Sequence, residues 1–168
     1  GNQNKGQSLP AVLKLDPAFS FMAKALAATG FDDHLAAQDT LFTVFVPTNG
    51  AFESAMAKLV MDEEQFLRSP DLLEVLRNHT AYGALTSKEL ANETSVEMVG
   101  GDRYAVARPP GGALRLGKAA VQATDVLASN GVIHVLACVL GDLGVSTRYR
   151  PGKPALANPA NPLPLGIH

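Results

Sequence analysis

The sequence predicts an α+β fold, with helices gathered in its first half and strands in its second. Three observations lead there. Between Pro17 and Leu90 apolar residues recur at helical spacing behind capping side chains. From Ser95 onward the rhythm shortens to alternating runs broken by glycine turns. Set early among the helices, "LFTVFVPTNGAF" at 41–52 drives a β-forming run into a proline and restarts as helix within four residues. Helices and strands are segregated rather than alternating, which points away from a parallel βαβ sheet.

Each element has a local reason. Asp16 followed by Pro17 supplies a capping side chain and a proline at the first helical position. Phe19, Met22, Ala23 and Leu26 then form one apolar stripe, and Gly30 closes the helix. "FDDHLAAQD" is a short amphipathic piece. Leu41 to Val46 has one polar residue, Thr43, so both faces of this strand are expected to be covered. Pro47 has no amide hydrogen to give a ladder and should end the pairing. Thr48 or Asn49 can cap a helix whose stripe is Phe52, Ala55, Met56 and Leu59.

"MDEEQF" starts a short helix, and Ser69-Pro70-Asp71 a longer one with Leu72, Val75, Leu76 and His79 on one face. Thr86 with Glu89 matches a capping box. Beyond Ser95, turns fall at Gly100-Gly101-Asp102, at Pro109 to Gly112, and at Asn130-Gly131, where Asn-Gly offers positive φ at low cost.

Size and charge set limits on function. The chain has 168 residues, 46% apolar and 18% charged, with a formal net charge of −2. That balance gives no field for phosphate backbones and argues against a nucleic-acid partner. No apolar run approaches the roughly 20 residues of a membrane-spanning helix. Cys138, the one cysteine, lies in "VLACVL" and reads as a buried thiol packed as a small hydrophobe. The expected organisation is an N-terminal arm at 1–9, a folded domain at 10–146, and a proline-rich basic tail at 147–168. That tail holds five of the eleven prolines, three basic residues and no acid. It should run extended and lie against its own domain or a partner.

Three segments, "FTVFVPTNGAF", "LRNHTAYGALTSKEL" and "ASNGVIHVLACVL", resemble the fasciclin domain family in order and spacing, over roughly residues 10–143. The resemblance implies a wedge-shaped α+β domain: a twisted, two-layer β core with helices packed along one side. It also places the first and last segments side by side as neighbouring strands. The structural motif it carries comprises Pro47, Thr48, Asn49, Phe52, Asn130, Gly131 and His134. There are three departures. Asn49 stands where Asp is frequent, and Ala137-Cys138 replaces Asp-Gly. Asn78-His79 stands in place of Tyr-His, a dipeptide that some animal members are proposed to use in integrin binding. Tyr82 is not its equivalent.

The function implied is a non-enzymatic interaction module for cell adhesion, matrix association or complex docking. Its partners would be proteins: a surface receptor, matrix, or subunits of a membrane complex, with membrane association only through a partner. Such a module belongs outside the cytosol: secreted, at the cell surface, in a periplasm or in an organelle lumen. One alternative is an extrinsic subunit of a membrane-bound assembly, such as a photosynthetic complex on its thylakoid lumenal side. Another is a carrier of an apolar molecule such as a carotenoid, against which stand 6% aromatics and no Trp.

Candidate binding residues are His79, Asp125 (in an Asp-Val pair similar to an Asp-Ile adhesion contact of the family), Arg148, Tyr149 and Arg150. His79 and His134 also suit buried structural imidazoles, and Asp125 suits a turn-capping carboxylate. Asn78 and Asn92 head Asn-x-Thr sequons; the second lies in a polar turn. The four histidines are scattered, and no nucleophile elbow, phosphate loop or dinucleotide fingerprint occurs. No catalytic residue, metal or cofactor is expected.

Overall fold

Helix α1 (Leu9–Leu15) already belongs to the core in the computed structural model, which describes residues 6–141. The expected arm therefore gives way to helix at Leu9, whose side chain is fully buried. A 3₁₀ turn at Pro17–Phe19 follows, with the Asp16 carboxylate accepting from Ala18 N–H, and leads into α2 (Ser20–Thr29). Gly30 ends α2 in the left-handed region, φ 76°, as its position predicts, and α3 (Phe31–Leu35) starts at once.

Strand β1 (Phe42–Pro47) is buried along its whole length. Phe42, Val44 and Val46 face a helical core with Phe21, Phe52 and Phe66, whereas Phe45 enters a second core with Leu116, Val121 and Leu136. This is the two-faced burial read from the sequence. Pro47 acts differently from expectation. Pairing with the neighbouring strand continues through Pro47 to Thr48, whose N–H donates to the Leu136 carbonyl at 3.1 Å. The missing donor falls on the opposite side, where β1 bonds back to His79 and no further partner strand exists. Proline thus stops one side of the ladder without removing a bond.

Thr48 caps α4 (Asn49–Leu59), accepting from Ala51 N–H at 3.0 Å. Asn49 is no cap. Its oxygen accepts from Phe21 N–H while its amide donates to the Pro17 carbonyl and Ser20 Oγ, tying α4 to the start of α2. An aspartate would have no hydrogen to give the Pro17 carbonyl.

Helix α4 ends at Val60, φ 56° and 70% exposed. A β-branched residue there carries left-handed strain of roughly 1–2 kcal/mol that glycine avoids. Part of that gain is returned because glycine loses more entropy on folding. Val60→Gly is therefore expected to raise unfolding free energy by about 1 kcal/mol, read from the urea midpoint. A lowered midpoint would show that Val60 contacts outweigh the strain.

Asp62 and Gln65 form a capping box for α5 (Glu63–Leu67), and Thr86 with Glu89 forms the predicted one for α7 (Ser87–Leu90). Helix α6 (Leu72–Arg77) has six residues and is shorter than expected, and Asp71 makes no side-chain cap bond. His79 lies beyond it, just before β2 (Thr80–Tyr82), instead of on its apolar stripe.

The remaining strands are β3 (Ser95–Glu97), β4 (Arg103–Ala107), β5 (Arg115–Leu116), β6 (Ala119–Ala128) and β7 (Gly131–Leu136). All seven form one sheet in the order β2-β1-β7-β6-β5-β4-β3, antiparallel except for the β1–β7 pair. The sheet curls until its ends meet, for Val99 N–H, just past β3, donates to the Thr80 carbonyl of β2 at 2.6 Å. The second core fills this curl, and the helices cover the outer face of β1 and β7.

Candidate functional site

The polar side chains that attract notice in the sequence divide into a buried framework and an exposed face. Asn130 heads the framework. Its Oδ1 accepts from Leu9 N–H at 3.0 Å, and its Nδ2 donates to the carbonyls of Leu35 and Ala37 at 2.6 and 2.9 Å. One buried amide thus joins α1, the end of α3 and the β6–β7 turn. Neither Asn130 nor Gly131 has positive φ. Gly131 is there for space: a Cβ on it would stand 1.9 Å from the Phe42 carbonyl oxygen.

His79 is buried. Its Nδ1 lies 2.8 Å from the Val75 carbonyl, to which it donates, and its Nε2 accepts from Leu140 N–H at 2.9 Å. That pattern requires the neutral ring. Burial lowers the His79 pKa to about 4, against the opposing pull of the Val75 carbonyl and the Asp102 charge. Being spent on both nitrogens, this ring is not a surface contact.

His134 is equally buried. Its Nε2 donates to the Leu85 carbonyl at 2.6 Å, and its Nδ1 accepts from Asp125 N–H at 3.2 Å. Burial lowers its pKa, opposed by the Leu85 bond and the Asp125 charge. Asp125 occupies a bulge in β6 at φ 63°. Its carboxylate takes Ser87 N–H at 2.8 Å and the Ser87 hydroxyl, closing the N-terminus of α7. Partial burial pushes the Asp125 pKa up, but the Ser87 bonds and the His134 ring bring it below the usual carboxylate range. Asp125 therefore joins β6 to α7 rather than standing free at a strand end.

The His79 pKa has a direct consequence for stability. Between its unfolded value of 6.5 and the folded value of about 4, the unfolded chain binds a proton that the fold refuses. Stability present above pH 6.5 is lost as pH falls to 4, by about 3 kcal/mol from this residue. Urea midpoints at pH 7 and pH 4 should show that loss, and His79→Gln should flatten the slope. Equal slopes for both proteins would refute the assignment.

The two sequons differ. Asn78 caps the end of α6; its Nδ2 donates to the Glu74 carbonyl and its Oδ1 accepts from Asp102 N–H. Gly100 packs so closely that a Cβ there would lie 2.5 Å from Asn78 Oδ1, and Thr80 is buried. Asn92 is exposed, with one long bond of 3.4 Å to the Lys88 carbonyl. Expression through a glycosylating secretory route is expected to attach one glycan, lost in Asn92→Gln and retained in Asn78→Gln, by intact mass. A glycan on Asn78 would contradict the packing.

The exposed face was not legible. Rings form a row from core to surface: Phe31–His34 at 5.3 Å, His34–Phe42 at 5.5 Å and Phe42–Tyr82 at 5.7 Å between centroids. Tyr82 ends the row 61% exposed, and His34 is exposed too. Asp32, Asp33 and Asp39 lie beside it in sequence, with no Lys or Arg between residues 31 and 45. None of the three acids forms an ion pair among the described residues. A sequence signal existed, an aromatic two residues from Thr80 on a short strand, but it needed the edge position to be informative. Cys138, read as buried, is exposed past the end of β7. Arg148, Tyr149 and Arg150 lie outside the described residues. No group of three or more His, Cys, Asp or Glu could hold a metal among the described residues, and no described helix is long and apolar enough to cross a membrane.

Comparison with known proteins agrees with this architecture. A family model, "Fasciclin domain", matches residues 17–142. The chain is 29% identical over 131 residues to transforming growth factor-beta-induced protein ig-h3 of Sus scrofa, covering 77% of this chain and 18% of that protein. Two Synechocystis proteins, sll1483 and sll1735, are each 31% identical, over 70% and 72% of this chain and 64% and 87% of their own lengths. The chain thus spans about a fifth of the ig-h3 protein it matches and under two thirds of sll1483. A solved FAS1 domain pair from the insect cell adhesion molecule Fasciclin I superposes with TM-score 0.69 at 20% identity, covering 81% of this chain and 51% of that one. The curled sheet, the parallel β1–β7 pair and the family match together settle descent: this chain belongs to the fasciclin domain family.

Proposed function

We propose that this chain is a non-enzymatic docking module that works outside the cytosol and binds another protein through the face around Tyr82. The observation carrying this reading is a division of labour. Every buried side-chain nitrogen and oxygen among the described residues already has a partner, so the histidines and Asn130 serve the framework. Among the exposed apolar side chains of the described residues, Tyr82 alone ends a row of rings, a row flanked in sequence by Asp32, Asp33 and Asp39. Tyrosine offers large contact area with few rotors, a property that favours it at protein interfaces. The insect relative's description as a cell adhesion molecule supports the same class of role.

A photoreactive phenylalanine analogue placed at Tyr82, and separately at Glu53 on exposed α4, tests this in extracts of the source tissue or cells. The expected result is one discrete adduct from position 82 and none from position 53. No adduct from position 82, or the same adducts from both, would overturn the reading.

A further inference from the structure

We propose that the basic segment "TRYRPGKP" at 147–154 of this same chain docks reversibly on the Tyr82 face and competes there with the external partner. This rests on the reading of that face as a binding surface. Three observations carry it.

The first is complementarity. Residues 31–45 contribute Asp32, Asp33 and Asp39 and no Lys or Arg, whereas residues 147–168 contribute Arg148, Arg150 and Lys153 and no acid. Opposite charges on two surfaces select register and partner more than they add raw affinity. The second is chemistry. Tyr149 and Pro151 sit between those cations, and proline-rich segments dock on exposed aromatic rings at low entropic cost because their backbone is already extended. Tyr82 and His34 present such rings, and an arginine guanidinium also stacks on an aromatic face.

The third is where the described chain ends. Leu140 N–H is held by His79 Nε2 at 2.9 Å, and a Cβ on Gly141 would lie 3.5 Å from the Tyr104 hydroxyl. His79 immediately precedes β2, so Tyr82 lies three residues of strand away, about 10 Å. From Gly141 to Arg148 the chain can span up to roughly 24 Å. The basic segment is therefore long enough to reach the ring row from the end of the described chain.

The test uses the full chain, isotope-labelled, with Cys138→Ser and a nitroxide on Asn158→Cys. Amide signals of His34, Leu41, Phe42 and Tyr82 are expected to lose most of their intensity, and to recover with Arg148→Glu/Arg150→Glu and in high salt. Recovery in the charge-reversed variant keeps folding out of the question, because it leaves residues 6–141 untouched. Undiminished signals at these positions, or loss at another face only, would overturn the inference. So would loss seen only when nitroxide and isotope sit on different molecules, which would assign the face to a second copy. The partner adduct at position 82 is read separately. An adduct with no tail contact sinks only the tail docking, and a tail contact with no adduct sinks only the external partner.

Discussion

Gly131→Ala is expected to abolish the fold or leave it barely stable, with a loss of about 4 kcal/mol or more out of the roughly 5–15 typical of a domain. The reason is a backbone collision. The new Cβ would stand 1.9 Å from the Phe42 carbonyl oxygen and 2.9 Å from its carbon, and neither can swing aside as a side chain would. Phe42 and Gly131 are register partners at the start of the parallel β1–β7 pair, and Phe42 N–H donates to the Asn130 carbonyl at 3.0 Å. Relieving the clash means parting β1 from β7, two strands that contribute to both cores. Gly50→Ala is the matched control. Its Cβ would meet nothing nearer than Thr48 Oγ1 at 3.9 Å, inside a helix, where alanine is favoured by roughly 0.5–1 kcal/mol. Thermal and urea unfolding of the pair decide the matter. A soluble Gly131→Ala protein with an unchanged midpoint would refute the close approach of β1 and β7.

Asn130→Ala should cost about 4 kcal/mol by a different route. It leaves Leu9 N–H and the Leu35 and Ala37 carbonyls without their partner, in a region walled by α1, α3 and β7. Orphaned buried groups cost roughly 1–3 kcal/mol each, and water entering the space recovers part of that. Asn130→Asp separates hydrogen bonding from volume. It retains the acceptor for Leu9 but brings a carboxylate against two carbonyls, so it should be no better than alanine at pH 7. An Asn130→Ala loss under 1 kcal/mol in urea would show the three bonds to be replaceable.

These two positions show what kind of information the sequence lacked. Asn-Gly at 130–131 reads as a hairpin turn, and a hairpin turn it is. The expected physical cause, positive φ, is absent; the pair is needed for an amide that bridges three elements and for the lack of a Cβ. Asn49 misleads in the same way: a capping residue by type and position, it bonds instead to Pro17, Ser20 and Phe21. His79 and His134 read as buried imidazoles and are so, but their partners come from residues 61 and 49 positions away as well as from near neighbours. Cys138 is exposed where an apolar hexapeptide suggests burial, because such a run does not show where its strand ends; β7 stops at Leu136.

The sequence by itself determined the features whose physics closes within about four residues. The capping boxes at Asp62 and Thr86, the left-handed Gly30, the hairpin turns and the doubly buried run at 42–46 all arise from local donors, local sterics or local periodicity. Only the tertiary structure decided which strands meet, that the sheet curls until Val99 reaches Thr80, and that the ring row surfaces at Tyr82. Those outcomes depend on contacts between residues tens of positions apart. Periodicity shows that a face must be covered, whereas the shapes of the two partners decide what covers it and what stays exposed to bind.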